Sequence, residues 1–278
     1  MKGKLLSILF LLLGLTLKGQ DRHLVILHTN DTHSQLESIR TGRDRGFGGV
    51  HPRAEYFEKV VSESGRDNVL ILDAGDYCQG TPYFTLFKGD MEVEILNSMG
   101  YEVLALGNHD LDNGQQELAR RIRNSDFTTI CANYDFTGTP LEGLIQPYTI
   151  VHKAGLKIGL FGLVLNLNTM QASHKLEGMK WLGEYEVAQK MADELRAQGC
   201  DLVIALTHIG YGRQGDSREF SDINLAARTT GIDLIIGGHT HTFISKPLVL
   251  KNADGKDVTI VQAGGQGVEV GRFDIEWQ

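Results

Sequence analysis

The chain has 278 residues, of which 41% are hydrophobic and 22% are charged, and its formal net charge is −8. This acidic balance excludes a binder of the nucleic-acid backbone, which needs a basic surface. The three cysteines (Cys78, Cys131 and Cys200) are odd in number and widely spaced, which excludes a disulfide framework and leaves one disulfide as an alternative. We expect Cys131 and Cys200 to be buried thiols.

Residues 1–20 have the pattern of a secretory signal peptide. Lys2 and Lys4 precede a mostly apolar run at 5–17, which is too short to span a bilayer. Cleavage would remove three basic residues and no acidic one, so the net charge would go from −8 to −11. We expect a secreted or periplasmic protein with no stable membrane span after cleavage. The alternative is an uncleaved N-terminal anchor.

Residues 21–278 are predicted to form one α/β domain. Short apolar runs predict strands at 24–27, 69–72, 103–106, 127–131, 157–163, 202–206, 234–236, 258–262 and 267–275. Several are apolar on both faces, which is typical of strands covered on both sides. Periodic apolar residues predict helices at 50–63, 90–98, 113–123 and 184–198. Because the last forty residues contain strands without helices between them, we interpret the fold as mixed sheets sandwiched between helices.

Five of the predicted strands are followed directly by side chains that can bind metal ions. In chain order the motifs are His28-Thr-Asn-Asp31-Thr-His33, Asp73-Ala-Gly75-Asp76, Gly107-Asn108-His109-Asp110-Leu-Asp112, Thr207-His208 and Gly237-Gly238-His239-Thr-His241. Ligands of α/β sheets bind beyond the carboxyl ends of the strands, so we expect these motifs to converge. Carboxylates, imidazoles and an amide, without a thiolate, suit divalent ions such as Zn, Mn, Co or Fe.

Two of the motifs contain ligand candidates that are two residues apart. Asp31 and His33 form one such pair, and His239 and His241 form the other. In an extended segment, side chains two residues apart point the same way, so each pair is predicted to face one site. The glycine-rich stretch 264–267 is interpreted as a turn at the rim of that site, with a phosphate cradle as the alternative.

These ordered motifs resemble those of the calcineurin-like metallophosphoesterases and, more narrowly, the catalytic domain of the 5′-nucleotidase family. The resemblance runs from about residue 22 to 278 and implies a four-layer α-β-β-α sandwich of mixed sheets. It implies two divalent metal ions, one bound by Asp31, His33 and His241 and one by Asn108, His208 and His239, with Asp76 bridging both. It also implies that His109 is a catalytic residue facing the phosphoryl oxygens or the leaving group, oriented by Asp112.

Other polar residues of the motifs are given supporting roles. We expect Asp73 and Asp110 to orient their neighbours and His28 to pack or orient rather than bind metal. For Asp112 the alternative role is the N-cap or first-turn acid of the helix at 113–123.

The resemblance implies hydrolysis of phosphate esters, with 5′-nucleotides converted to nucleosides and phosphate. Related alternatives are 2′,3′-cyclic nucleotide phosphodiesterase and nucleotide-sugar or dinucleotide pyrophosphatase activity. A noncatalytic metal- or nucleotide-binding module is a further alternative. A serine or cysteine acyl hydrolase is disfavoured because no G-x-S-x-G motif occurs. Members of the family typically continue into a C-terminal substrate-binding domain. We expect that domain to be missing here, separately encoded, or not needed.

Overall fold

The computed structural model describes residues 22–213, 215–216 and 219–277, and the predicted signal peptide lies outside them. The strands are β1 Arg22–Thr29, β2 Val69–Asp73, β3 Val103–Ala105, β4 Thr128–Ile130, β5 Tyr134–Asp135, β6 Tyr148–Lys153, β7 Leu156–Val164, β8 Lys180–Trp181, β9 Leu202–His208, β10 Leu234–Ile236, β11 Leu248–Lys251, β12 Asp257–Val261 and β13 Gly271–Trp277. The helices are α1 Val50–Ser64, α2 Pro82–Phe87, α3 Asp90–Met99, α4 Gly114–Arg123, α5 Tyr185–Ala197 and α6 Asp222–Arg228.

Most of the strands belong to two mixed sheets. The first has the order β13-β1-β2-β3-β4, in which β1 to β4 are parallel and β13 is antiparallel to β1. The second has the order β11-β12-β10-β9-β7-β6, with parallel central strands and antiparallel edge strands β11 and β6. Strands β5 and β8 pair separately. Each sheet therefore places the carboxyl ends of its parallel strands at one edge.

The two sheets pack face to face, with helices on both outer faces. In β1, Leu24 and Ile26 point into the layer between the sheets, and Val25 and Leu27 point to the opposite face, as the two-residue period of a strand requires. That opposite face packs against α1 and α3. The outer face of the second sheet packs against α5 and α6. The predicted four-layer α-β-β-α sandwich is confirmed.

The elements missed by the sequence analysis lie mainly at edges or are short. Strands β6 and β11 are edge strands whose apolar runs are short and whose residues are half-buried or exposed. Helix α6 spans seven residues and is buried along most of its length, so it lacks an amphipathic period. The strand predicted at 267–275 begins only at residue 271, because residues 264–268 form a turn.

All three cysteines are free and buried. The prediction of buried thiols at Cys131 and Cys200 is confirmed, and the alternative of a disulfide is not realised.

The backbones of the two sheets come into direct contact where the end of β4 crosses β7. The backbone N–H of Ala132 donates to Gly162 O at 2.8 Å, and a methyl group on Gly162 would overlap the carbonyl of Ile130. We predict that Gly162→Ala lowers the free energy of unfolding by about 2–3 kcal/mol, because the backbones of both sheets must move apart. Urea denaturation measures this loss.

The control for that prediction is Gly138→Ala. Gly138 has open space around its Cα but a φ of 77°, so this change costs only the left-handed backbone, about 1 kcal/mol. Equal losses in the two variants would contradict a close contact between the sheets at Gly162.

Candidate metal centre

The carboxyl ends of β1, β2 and β3 meet those of β9 and β10 at one edge of the sandwich. Contacts between the loops join the two sheets. His208 Nδ1 lies 2.7 Å from Ala74 O, and the backbone N–H of His239 donates to the Asp31 carboxylate at 2.9 Å. The structure thus brings together all the predicted metal ligands: Asp31, His33, Asp76, Asn108, His208, His239 and His241.

One group in this cluster consists of Asp31, His33 and His241. The two imidazole Nε2 atoms are 3.0 Å apart, and Asp31 Oδ1 lies 3.2 Å from His241 Nε2 and 3.9 Å from His33 Nε2. The side chain of Asp31 is fully buried, whereas that of His241 is 45% exposed. The group is therefore open to solvent on the His241 side.

A second group lies around Asp76. Its Oδ2 is 3.1 Å from His208 Nε2 and 4.0 Å from His33 Nε2, so it faces both groups. Beside it, His239 Nδ1 lies 3.1 Å from Asn108 Oδ1. Asp31 Oδ1 is also 3.8 Å from His208 Nε2, so Asp31 as well as Asp76 lies between the two groups.

The rings of His33 and His208 are oriented as metal ligands need. In His33 and His208 the Nδ1 atoms lie 3.2 Å and 2.7 Å from the carbonyls of Cys78 and Ala74, which turns the Nε2 atoms toward the carboxylates. His208 Nε2 is buried, and the carboxylate of Asp76 is its nearest partner at 3.1 Å. Imidazole lone pairs beside buried carboxylates fit divalent cations.

The charges of the cluster depend on each other. Burial alone favours neutral forms, but the carboxylates of Asp76 and Asp31 raise the pKa of His208 to about 10. Burial would also raise the pKa of Asp76, but the positive charge of His208 holds it down at about 2. Ligation requires a neutral imidazole, so a divalent ion would take the place of the His208 proton.

Five of the seven residues adopt left-handed backbone conformations. The φ angles are 50° at Asp31, 48° at His33, 59° at Asp76, 75° at His239 and 49° at His241. The expectation that the Asp31/His33 and His239/His241 pairs lie in extended segments is therefore wrong. Backbone hydrogen bonds from Asp31 N to Gly75 O and from His33 N to Asp76 O impose tight turns instead. Non-glycine residues in this region are strained, and such strain concentrates at functional sites.

His109 and Asp112 form a hydrogen-bonded pair next to the metal-ligand cluster. His109 Nδ1 donates to Asp112 Oδ2 at 2.8 Å, and this hydrogen bond raises the pKa of the imidazole. The His109 ring centroid is 5.5 Å from that of His33. The alternative role of Asp112 as a helix cap is not realised, because α4 begins at Gly114 after Asn113. The structure thus leaves His109 Nε2 as the atom able to act on a bound molecule.

Buried carboxylates support the loops from behind, in the role expected for them. Asp110 accepts hydrogen bonds from the backbone N–H of Gly107 at 2.8 Å and of Asp76 at 3.2 Å, and burial raises its pKa to about 6. Asp73 accepts from Thr29 Oγ1 and from Gly75 N, and burial raises its pKa to about 7. These contacts hold the backbone that carries Asp76 and Asn108.

Two buried amides with a similar role were missed by the sequence analysis. Asn30 Nδ2 donates to Gly264 O and to Asp31 Oδ2, both at 2.6 Å. Gln262 Nε2 donates to Gly238 O at 3.2 Å, which ties β12 to the loop that carries His239. The position of Asn30 inside the first motif is a signal that could have identified it, whereas nothing near Gln262 in the sequence indicates its contact.

Comparisons with known proteins give a family match over most of the chain. Residues 24–243 match the family described as calcineurin-like phosphoesterase. A snake venom 5′-nucleotidase from Gloydius brevicauda is 34% identical over 276 residues, which cover 91% of this chain and 45% of that protein. The chain spans about half the length of the curated relatives it matches.

Solved structures give the same result. A 5′-nucleotidase precursor from Thermus thermophilus superposes with a TM-score of 0.82 at 34% identity, covering 92% of this chain and 52% of that one. The NAD nucleotidase of Haemophilus influenzae also superposes with a TM-score of 0.82, at 27% identity, covering 93% of this chain and 54% of that one. In both cases the similarity covers almost the whole of this chain.

Proposed function

The chain belongs to the calcineurin-like phosphoesterase family, and from that membership we propose that it is a metal-dependent hydrolase of phosphate esters. The observation that carries the proposal is the meeting of two ligand groups, joined through Asp31 and Asp76, beside the His109–Asp112 pair. A noncatalytic binding module would need the ligands but not that pair.

We propose that the two groups hold two divalent ions, with Zn, Mn, Co and Fe as candidates. When bound, such ions supply positive charge and an acidified water. Asp31 and Asp76 offset only part of that charge, so the site attracts a phosphate anion. His109 uses Nδ1 to bind Asp112, so Nε2 is the atom proposed to hold a proton and donate it to the leaving oxygen.

The proposed substrates are 5′-nucleotides, converted to nucleosides and phosphate. The names of the relatives in two comparisons support this choice. The name of the similar Haemophilus influenzae protein supports dinucleotide pyrophosphates as a second candidate. The third candidate substrate is a 2′,3′-cyclic nucleotide. A separately encoded substrate-binding domain is proposed as a partner that adds to the selectivity of this chain.

We propose that the protein acts outside the cytoplasm, in a secreted or periplasmic form. The pattern of residues 1–20 and the venom origin in the name of one relative support this location. Within the part of the chain that the structure describes, no helix combines the length and the apolar character needed to cross a bilayer.

The experiment that tests the function measures phosphate release by the protein after metal removal and resupply with Zn, Mn or Co. AMP, 2′,3′-cyclic AMP and p-nitrophenyl phosphate are compared. We expect metal-dependent turnover of AMP at least about tenfold above that of the other two. Equal turnover of all three would support the chemistry but contradict nucleotide selection by this chain. Binding of AMP without any turnover would support the noncatalytic alternative.

A further inference from the structure

The segment between β7 and β8 crosses the rim of the site beside the His109–Asp112 pair. It contains two short 3-10 turns, Leu167–Thr169 and Ser173–Leu176. From 168 to 174 all the side chains are exposed except that of Gln171, which is half-buried. Gln171 is thus the one side chain between residues 168 and 174 that turns inward.

Every polar group of the Gln171 amide is used. Its Nε2 donates to Asn108 O at 2.7 Å and to Asp112 Oδ1 at 2.9 Å, and its Oε1 accepts from Lys175 Nζ at 3.2 Å. The two donors and the acceptor define which side of the amide faces the turn. The side chain thus joins the two ends of the short turn that carries His109.

These contacts restrict the rotation of the Asp112 carboxylate. One of its oxygens contacts His109 at 2.8 Å and the other contacts Gln171 at 2.9 Å, so the carboxylate cannot rotate without breaking a hydrogen bond. Lys175 Nζ lies 3.7 Å from the same oxygen that Gln171 binds. The orientation of the imidazole therefore depends on Gln171 through Asp112.

The segment that carries Gln171 is hydrogen-bonded to the start of α4. Gln115, in the first turn of α4, donates to Lys175 O at 3.1 Å and to Glu177 O at 2.9 Å. Gln115 is buried, and it follows Asp112 by only three residues. The segment is therefore attached to the same helix start that follows the His109 turn, which gives the support that a positioned catalytic group needs.

We propose that Gln171 is a positioning residue for the hydrolysis, acting through Asp112 and the carbonyl of Asn108 to aim His109 at the leaving oxygen. The inference rests on the proposed function and adds a residue that no motif contains. Gln171 does not touch the reacting atoms, so its removal should cost less than removal of His109 itself. Its effect should also depend on how much the leaving group needs a proton.

The test compares two substrates in a metal-loaded Gln171→Leu variant. A nucleoside is a poor leaving group and needs a proton, whereas p-nitrophenolate leaves readily without one. We expect kcat for AMP to fall about tenfold, a fraction of the roughly 10²–10⁴-fold that a general acid supplies, with KM and metal content unchanged. For p-nitrophenyl phosphate, kcat should change less than about twofold. Gln171→Glu keeps the size but places a negative charge next to Asp112, and it should lower kcat for AMP at least as much.

The control is Gln189→Leu, on α5. The Gln189 amide also makes several hydrogen bonds, to Asp193 and Thr230. Its loss should lower the stability of the protein but leave kcat for both substrates unchanged. Coupling is tested with the double variant His109→Asn/Gln171→Leu, which should hydrolyse AMP as slowly as His109→Asn alone. In the metal-free protein, the proton NMR signal of His109 Nδ1–H should shift or broaden in Gln171→Glu and stay unchanged in Gln189→Leu.

Equal losses on both substrates, additive losses in the double variant, or unchanged AMP turnover in Gln171→Glu would each overturn the inference. These outcomes are separate from a failure of the proposed function. If the proposed function is wrong, the metal-loaded wild-type protein will hydrolyse neither AMP nor p-nitrophenyl phosphate.

Discussion

Replacing Asp76 with alanine is expected to abolish turnover and prevent the retention of metal ions. Asp76 Oδ2 faces His208 at 3.1 Å and His33 at 4.0 Å, and Oδ1 accepts a hydrogen bond from the backbone N–H of His109 at 2.8 Å. One substitution thus removes contacts to both ligand groups and to the backbone of His109. A single preorganised group supplies about 10²–10³-fold, so we expect a loss of at least about 10³-fold here. AMP turnover and metal content per chain measure it.

Two further variants make that result interpretable. Asp254→Ala removes a carboxylate from an exposed turn and should leave turnover and metal content unchanged. Asp76→Asn preserves the shape of the side chain and removes only its charge, so it separates loss of a ligand from misfolding. Retention of two metal ions and of substantial turnover in Asp76→Asn would contradict the assignment of Asp76 to both groups.

Replacing His109 with asparagine is expected to leave the metal ions bound while kcat for AMP falls by about 10²–10⁴-fold. His109 contacts Asp112 and lies beside the ligand rings, but we place it in neither ligand group. Turnover of p-nitrophenyl phosphate should fall much less, because its leaving group does not need a proton. The control His152→Asn changes an exposed histidine of β6 and should have no effect. A folded His109→Asn protein with near wild-type AMP turnover would remove His109 from the reaction.

The pH profile gives a second test of His109. The hydrogen bond to Asp112 raises the pKa of the imidazole, so the protonated form persists to a higher pH than in an ordinary histidine. Activity that needs this proton is present below the raised pKa and is lost as the pH rises through it. We expect wild-type kcat to show this alkaline limb and the His109→Asn variant to lack it.

The strands that carry the metal ligands, and the meeting of their ends, could be predicted from the sequence. The strands that lead to Asp31, Asp76, Asn108 and His208 were predicted from short apolar runs, because a strand buried on both faces needs apolar residues throughout. Each ligand candidate is the last residue of its strand or lies within three residues after it. The convergence of the motifs then follows from the rule that parallel strands end at the same edge.

The backbone conformation of the ligands was not predictable in this way. The extended segments expected around His33 and His241 are left-handed turns, because hydrogen bonds from a different loop fix the first of them. The sharing of Asp31 between both groups depends on the distance between the two sheets. No local pattern contains that distance.

By itself, the sequence determined the class of fold, the strands of the core and the identity of the side chains at their ends. These features depend on local composition and on the period of apolar residues, which a single segment carries. Only the tertiary structure decided how the loops turn and which ligands share a group. It also decided that Gln171, sixty-three residues after Asn108, holds the turn that carries His109. Such contacts join segments that are distant in the chain, and they form only when the two sheets pack together.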